Sequence, residues 1–187
     1  MMEVDEQTII TQTQRWVSDV VVDLNLCPFA KREVVRNSIR YTVETTSSSN
    51  DVLQTVLEEL ILLDSNDTIE TTLIMLPSGF DEFDDYLELV DYAQAIVDNG
   101  GYRGIYQIAT FHPNYCFADA HPSDLDNYTN KSPYPTLHII REASIERVLK
   151  QYPDPENIPI RNMRTLEQKG EHAMKMLLAS CMAAPQK

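Results

Sequence analysis

Four consecutive apolar residues, Leu73-Ile74-Met75-Leu76, close a segment that begins at Ile69 and reads as a β-strand. A strand without alternation has no side to turn to water, so it needs cover on both faces of its sheet. Helical segments precede and follow it in the chain. From Asp51 to Asp64, Leu53, Val56, Leu57, Leu60 and Ile61 recur at helical spacing, and the polar run Thr45–Asn50 before them offers an N-cap. After the turn Pro77-Ser78-Gly79, a second helix opens on Asp81-Glu82, acids that suit the positive end of a helix dipole. Its inward stripe is Phe83, Leu87, Val90, Ala93 and Val97, and Asn99-Gly100-Gly101 ends it in a left-handed cap. The segment Gly104–Phe111 reads as another buried strand, expected beside the Ile69 strand at the centre of the sheet.

The remaining segments fit around this unit. Asp5 to Asn25 reads as a helix with Ile10, Thr13, Val17, Val20 and Leu24 on one stripe and Trp16 beside it. The stretch Leu26-Cys27-Pro28-Phe29-Ala30 breaks it, because proline disfavours helix at the residue before it, and a short helix is expected from Pro28. Ser38–Glu44 alternates as a half-exposed strand near a sheet edge. Thr136–Ile140 reads as a further strand, Ser144–Gln151 as a helix, and Arg161–Met182 as one last helix. Met163, Leu166, Gly170, Ala173, Leu177 and Cys181 would face inward along it. The fold class is therefore α/β: one domain over residues 1–187, with a mixed sheet of about four strands flanked by helices and joined by right-handed crossovers.

One segment departs from the pattern. Residues 112–135 show no periodicity and carry four prolines. Connections beyond about 12–15 residues are functional or disordered more often than not. Tyr115, Tyr128 and Tyr134 supply packing surface, so an ordered surface loop is expected.

Composition excludes several classes of function. With 15 Lys and Arg against 29 Asp and Glu, the net charge of −14 repels phosphate backbones and anionic membranes, so neither nucleic acid nor a membrane is an expected partner. No apolar run is long enough for a bilayer, and the acidic start MMEVDEQTII does not read as a targeting segment. Three widely spaced cysteines suit a reducing compartment, which points to a soluble cytoplasmic protein.

The motifs NLCPFA, GYRGIYQIATFHP, TNKSPYP and LHIIRE, spread over most of the chain, together resemble an uncharacterised bacterial family catalogued as domain of unknown function 1415. Lys131 stands where the family pattern carries arginine, which keeps the cation and loses the bidentate fork. The resemblance implies no activity, cofactor or catalytic residue, so the chemistry is read from the side chains.

His112 ends a strand at the edge where open α/β sheets place ligands, and His138 lies mid-strand on the face opposite Leu137 and Ile139. Cys27, at the helix break before Lys31 and Arg32, is a candidate nucleophile. These three are the candidate catalytic residues. Arg141, Asn130, Lys131 and Tyr134 are the candidate ligand-binding set, since cations and amides gathered at one loop of an acidic protein would focus a small anionic molecule. The leading expectation is an enzyme with a histidine acid/base and an arginine anion site in a pocket under the 112–135 loop. Two alternatives stand beside it: a binding module without turnover, and a metal-dependent hydrolase using His112 and His138. Each residue also has a plain structural reading, with the histidines capping or filling the core, the asparagines bonding their own turns and Cys27 half-buried. No HExxH or CxxC spacing occurs, so no metal ligands are assigned, and no particular cofactor is indicated.

Overall fold

The structure is a computed structural model that describes residues 4–183. The first three residues of the acidic start and the last four of the chain lie outside this range. Within it the chain is a single α/β domain. Its elements are α1 (Glu6–Arg15), α2 (Ala30–Arg36), β1 (Ile39–Val43), α3 (Ser49–Ser65), β2 (Thr71–Met75), α4 (Phe83–Asn99), β3 (Tyr106–Phe111), β4 (Thr136–Arg141), α5 (Glu142–Gln151), α6 (Ile158–Lys169) and α7 (Glu171–Met182). A π-helix, Trp16–Val22, continues α1, and short 3-10 turns lie at Leu125–Thr129 and Pro155–Asn157.

The four strands form a mixed sheet in the order β1-β2-β4-β3. β1 and β2 run parallel, joined by α3; β4 runs antiparallel to both β2 and β3. β2 is central and buried at every position, as its apolar run requires. The Gly104 segment is not central. β3 is an edge strand, and β4 takes the inner place beside β2. The cause is the long connection: leaving β3 at Phe111, the chain loops over one end of the sheet and returns antiparallel at Thr136 into the slot between β2 and β3. The segment 112–135 is ordered, with the 3-10 turn inside it.

Helices α3 and α4 cover one face, where Val56, Leu60, Tyr86 and Leu89 pack against Ile74, Leu137 and Ile139. The inward stripes are rotated from the expected ones. On α3, Val52, Val56, Leu60 and Leu63 are buried while Ile61 is 53% exposed, because buried Glu59 holds β1 through a bidentate pair with Arg40 (2.7 and 2.9 Å) and accepts from Thr42 (3.1 Å). On α4, Tyr86 is buried in preference to Leu87, since its hydroxyl donates to Thr136 O (2.7 Å) and accepts from Phe111 N. The other face carries α1, the π-helix, α6 and α7, with Trp16, Val20, Leu166, Met174 and Cys181 packed on Leu73 and Met75.

Two further expectations are corrected. The last helix is two helices, broken at Gly170, whose φ of +81° and ψ of 156° side chains rarely adopt. The first helix changes its winding at Trp16: Asp23 N bonds Ser18 O and Leu26 N bonds Val21 O, five residues back. Trp16 lies within the buried stripe rather than beside it, because Ile9, Gln12, Thr13, Trp16, Val17 and Val20 follow one another at three- and four-residue steps.

Candidate functional site

A cavity of about 340 Å³ lies against the second sheet face, where β3 and β4 run out from under the helices. That volume falls in the range of small-molecule sites. Its floor is Thr71 and Leu73 of β2, His138 and Ile140 of β4, and Ala109 and Phe111 of β3. The π-helix supplies Trp16, Val17 and Val21 as one wall. Cys27, Phe29 and Ala30 come from the break that follows, and α5 adds Ile145 and Val148. π-Turns are rare and cluster at functional sites. Here the irregular turn carries the indole of Trp16 over the sheet, edge-on to Phe111 at 5.0 Å, with Nε1 donating to Lys131 O (3.0 Å).

The walls are predominantly apolar, with a few polar groups set into them. His138 Nε2 lies 2.7 Å from Thr71 Oγ1, and that hydroxyl donates to Ile139 O at 2.6 Å. Burial lowers the His138 pKa to about 4, because the apolar surroundings penalise the imidazolium. Cys27 is half-buried; burial raises its pKa, against a smaller opposing effect of the Phe29 and Ala30 N–H groups near its sulfur. α2 starts at Ala30 rather than Pro28, so Cys27 precedes the helix by three residues and is not its N-cap. Glu33, Glu70 and Arg147 complete the lining. Arg147 Nη2 is 4.0 Å from Glu70 Oε1, too long for a hydrogen bond, and that oxygen is buried without a partner among the described residues.

Cys27 and His138 thus share one cavity, but the expected pocket joining them to His112, Arg141 and the long loop does not form. None of residues 112–135 lines the cavity. His112 is fully buried beyond β3, on the α4 side. Its Nε2 donates to Phe80 O (2.9 Å), its Nδ1 accepts from Asn114 N (3.0 Å), and Phe83 and Tyr86 pack on the ring, each at 5.1 Å. Both nitrogens are engaged, and burial lowers its pKa. Arg141 sits at the other end of β4, about five residues or 16 Å along the strand from the loop. Its guanidinium donates to Leu63 O (2.7 Å), Asn66 O (3.2 Å) and Ile69 O (3.0 Å), which closes the C-terminal end of α3, and to Tyr106 Oη (3.2 Å).

The loop residues hold the loop. Asn130 Nδ2 donates to Thr110 O (2.9 Å), Tyr134 donates to Gln12, and Lys131 Nζ lies over the Tyr128 ring at 4.5 Å. Among the described residues no group of three or more His, Cys, Asp or Glu is placed to hold a metal, and His112 and His138 are on opposite faces of the sheet. Two arginines without ion-pair partners among the described residues, Arg161 and Arg164, line a separate cavity of about 220 Å³ on the far side of the Leu24–Pro28 segment. Sequence reasoning missed Trp16, Thr71 and Glu70 as site residues. The one signal for Thr71 is a polar residue opening an otherwise apolar strand; for Trp16 it is the chain's one tryptophan on a helix that precedes a break.

No helix among the described residues is long and apolar enough to cross a membrane. No curated protein and no solved structure matches the chain. The sequence model of the family described as "Protein of unknown function (DUF1415)" matches residues 8–176, a span that holds the π-helix, the Cys27 break, all four strands and α5, and the chain belongs to that family.

Proposed function

We propose that the protein binds a small, largely apolar molecule in the cavity between the sheet and the π-helix. The observation that carries this reading is the cavity itself: about 340 Å³ of space walled by Trp16, Val17, Leu73, Phe111 and Ile140 with a single imidazole set in its floor. A sheet face is normally closed by the helix above it, because open apolar surface costs about 25 cal/mol per Å². Here Trp16, Val17 and Val21 of the π-helix and Cys27 of the break wall a cavity beside that contact instead of closing it. Small-molecule sites have this composition, apolar walls with few polar groups.

A catalytic reading is favoured by one fact, that Cys27 and His138 line the same cavity. Activated cysteines exchange a proton with histidine to give thiolate and imidazolium. Burial acts against both charges here, raising Cys27 and lowering His138, so the neutral pair is the stable one and binding is the better-supported function. An anionic substrate is also disfavoured, since Glu33 and Glu70 outnumber Arg147 around the cavity. The free thiols suit a reducing compartment, and we place the protein in the cytoplasm.

The test uses Trp16, the chain's one tryptophan, as reporter. Titration with p-xylene is expected to change Trp16 fluorescence saturably in the wild type and not in Ala109→Phe, which fills the floor beside His138. Equal responses in the two proteins would remove the cavity from consideration. Peptide-resolved alkylation separates the catalytic reading: Cys27 should label slowly at neutral pH, and fast labelling there would favour a nucleophile.

A further inference from the structure

We propose that the ligand of this cavity carries a hydrogen-bond donor, an O–H or N–H, which it gives to Nδ1 of His138, and that Thr71 fixes which nitrogen is available. The proposal rests on the cavity being the binding site and adds the chemical class of what enters it.

The argument follows from one proton. A threonine hydroxyl has a single hydrogen to donate. Thr71 Oγ1 lies 2.6 Å from Ile139 O, a carbonyl that only accepts, so the hydroxyl proton is committed to that carbonyl. The second contact of the same oxygen, 2.7 Å to His138 Nε2, is then a donation from the ring. A neutral imidazole that is protonated on Nε2 has a bare lone pair on Nδ1. Among the described residues His138 Nδ1 has no hydrogen-bond partner, while the ring lines the cavity. The contrast with His112 is direct: there Asn114 N–H occupies Nδ1 and the Phe80 carbonyl occupies Nε2.

A second acceptor stands in the same lining. Glu70 Oε1 is buried without a partner among the described residues, and Arg147 is 4.0 Å away. The cavity thus presents acceptors without a hydrogen bond among the described residues, and an acceptor covered by a ligand and left unpaired costs free energy that a donor on that ligand recovers. A purely apolar ligand would leave this cost in place, and an anion would bring a further acceptor toward Glu70. The fitting ligand is a mostly apolar, uncharged molecule with one or more donor groups, such as a phenol, an alcohol or an amide N–H.

Three probes of nearly one shape make the test: p-cresol, which has the donor; 4-methylanisole, in which a methyl group replaces it; and p-toluate, an anion. Binding is measured by calorimetry and by NMR on the full chain. The expected result is p-cresol tighter than 4-methylanisole by about fivefold or more, a typical gain from satisfying one buried acceptor. That advantage should vanish in His138→Phe, and p-toluate should bind least. If p-cresol and 4-methylanisole bind alike, or p-toluate binds best, the donor assignment fails while the cavity reading stands. If none of the three binds, the cavity reading fails. A measurement on the ligand-free protein is independent of any probe: the ¹⁵N shifts of His138 should report a proton on Nε2 and none on Nδ1. Thr71→Val should loosen this preference, and an Nδ1-protonated ring in the wild type overturns the proposal.

Discussion

His138 and Arg141 are three residues apart on one strand, point to opposite faces of the sheet, and have unlike physical roles. The imidazole is kept neutral by burial, so its charge state couples to stability. Its pKa is about 4 folded against about 6.5 unfolded, and the unfolded chain therefore binds more protons between those values. Stability from this group is fully present above about pH 6.5 and is lost as pH falls toward 4, by about 3 kcal/mol in all. His138→Gln, which does not titrate, should flatten that part of the pH–stability curve when chemical denaturation is followed from pH 7 to pH 4. Unchanged slopes would show that the ring is better hydrated than its setting implies. Lowering of the His112 pKa acts in the same direction and is present in both proteins, so it cancels in the comparison. Arg141 belongs to the scaffold. Its donations to Leu63 O, Asn66 O and Ile69 O close the end of α3, so Arg141→Met should cost about 2–3 kcal/mol of stability and leave p-xylene binding unchanged. A selective loss of binding in a stably folded variant would return Arg141 to the site.

At the scale of elements, the points where helices are interrupted shape this molecule. The π-helix and the Leu26–Ala30 break create the cavity wall, and Gly170 turns α6 into α7 so that Leu166, Met174 and Cys181 meet the same core. A Cβ at Gly170 would meet no atom within 4 Å, so crowding is no obstacle to a side chain there. Conformation is: φ +81° with ψ 156° is almost restricted to glycine. Gly170→Ala is accordingly expected to destabilise by about 1–3 kcal/mol, read as a lower denaturation midpoint at unchanged slope. If the substitution stabilises, α6 and α7 have fused into the continuous helix that the residue pattern suggests.

Over the whole molecule, electrostatics is governed by a net charge of −14. Among the described residues few carboxylates are offset by close ion pairs, and in the bidentate Arg40–Glu59 pair Glu59 is buried while Arg40 stays 40% exposed. Self-repulsion of this size opposes the compact state and is screened by salt. The melting temperature should therefore rise from low to moderate ionic strength with sodium chloride. A fall over that range would mean that attractive pairs outweigh the repulsion.

The α/β class, the number of strands, the helical segments apart from the break at Gly170, and the length of the ordered loop were legible in the chain, because each depends on local periodicity and on short-range breakers such as Pro28 and Gly100. The face on which His138 lies was legible too, since side chains alternate along a strand. Strand order was not. An apolar run does not state whether its second face meets a helix or a cavity, and β3 reads like a central strand while its Ala109 and Phe111 line open space at an edge. Nor did the residues disclose the π-turn, whose wider winding uses the same apolar residues as an α-helix. The clustering of His112, Arg141 and the loop in sequence suggested one site, but the antiparallel hairpin sends Arg141 to the opposite end of β4 and the pleat sends His138 to the other face. The meeting of Cys27 with Thr71 and His138, residues from three separate segments, was decided by tertiary packing alone.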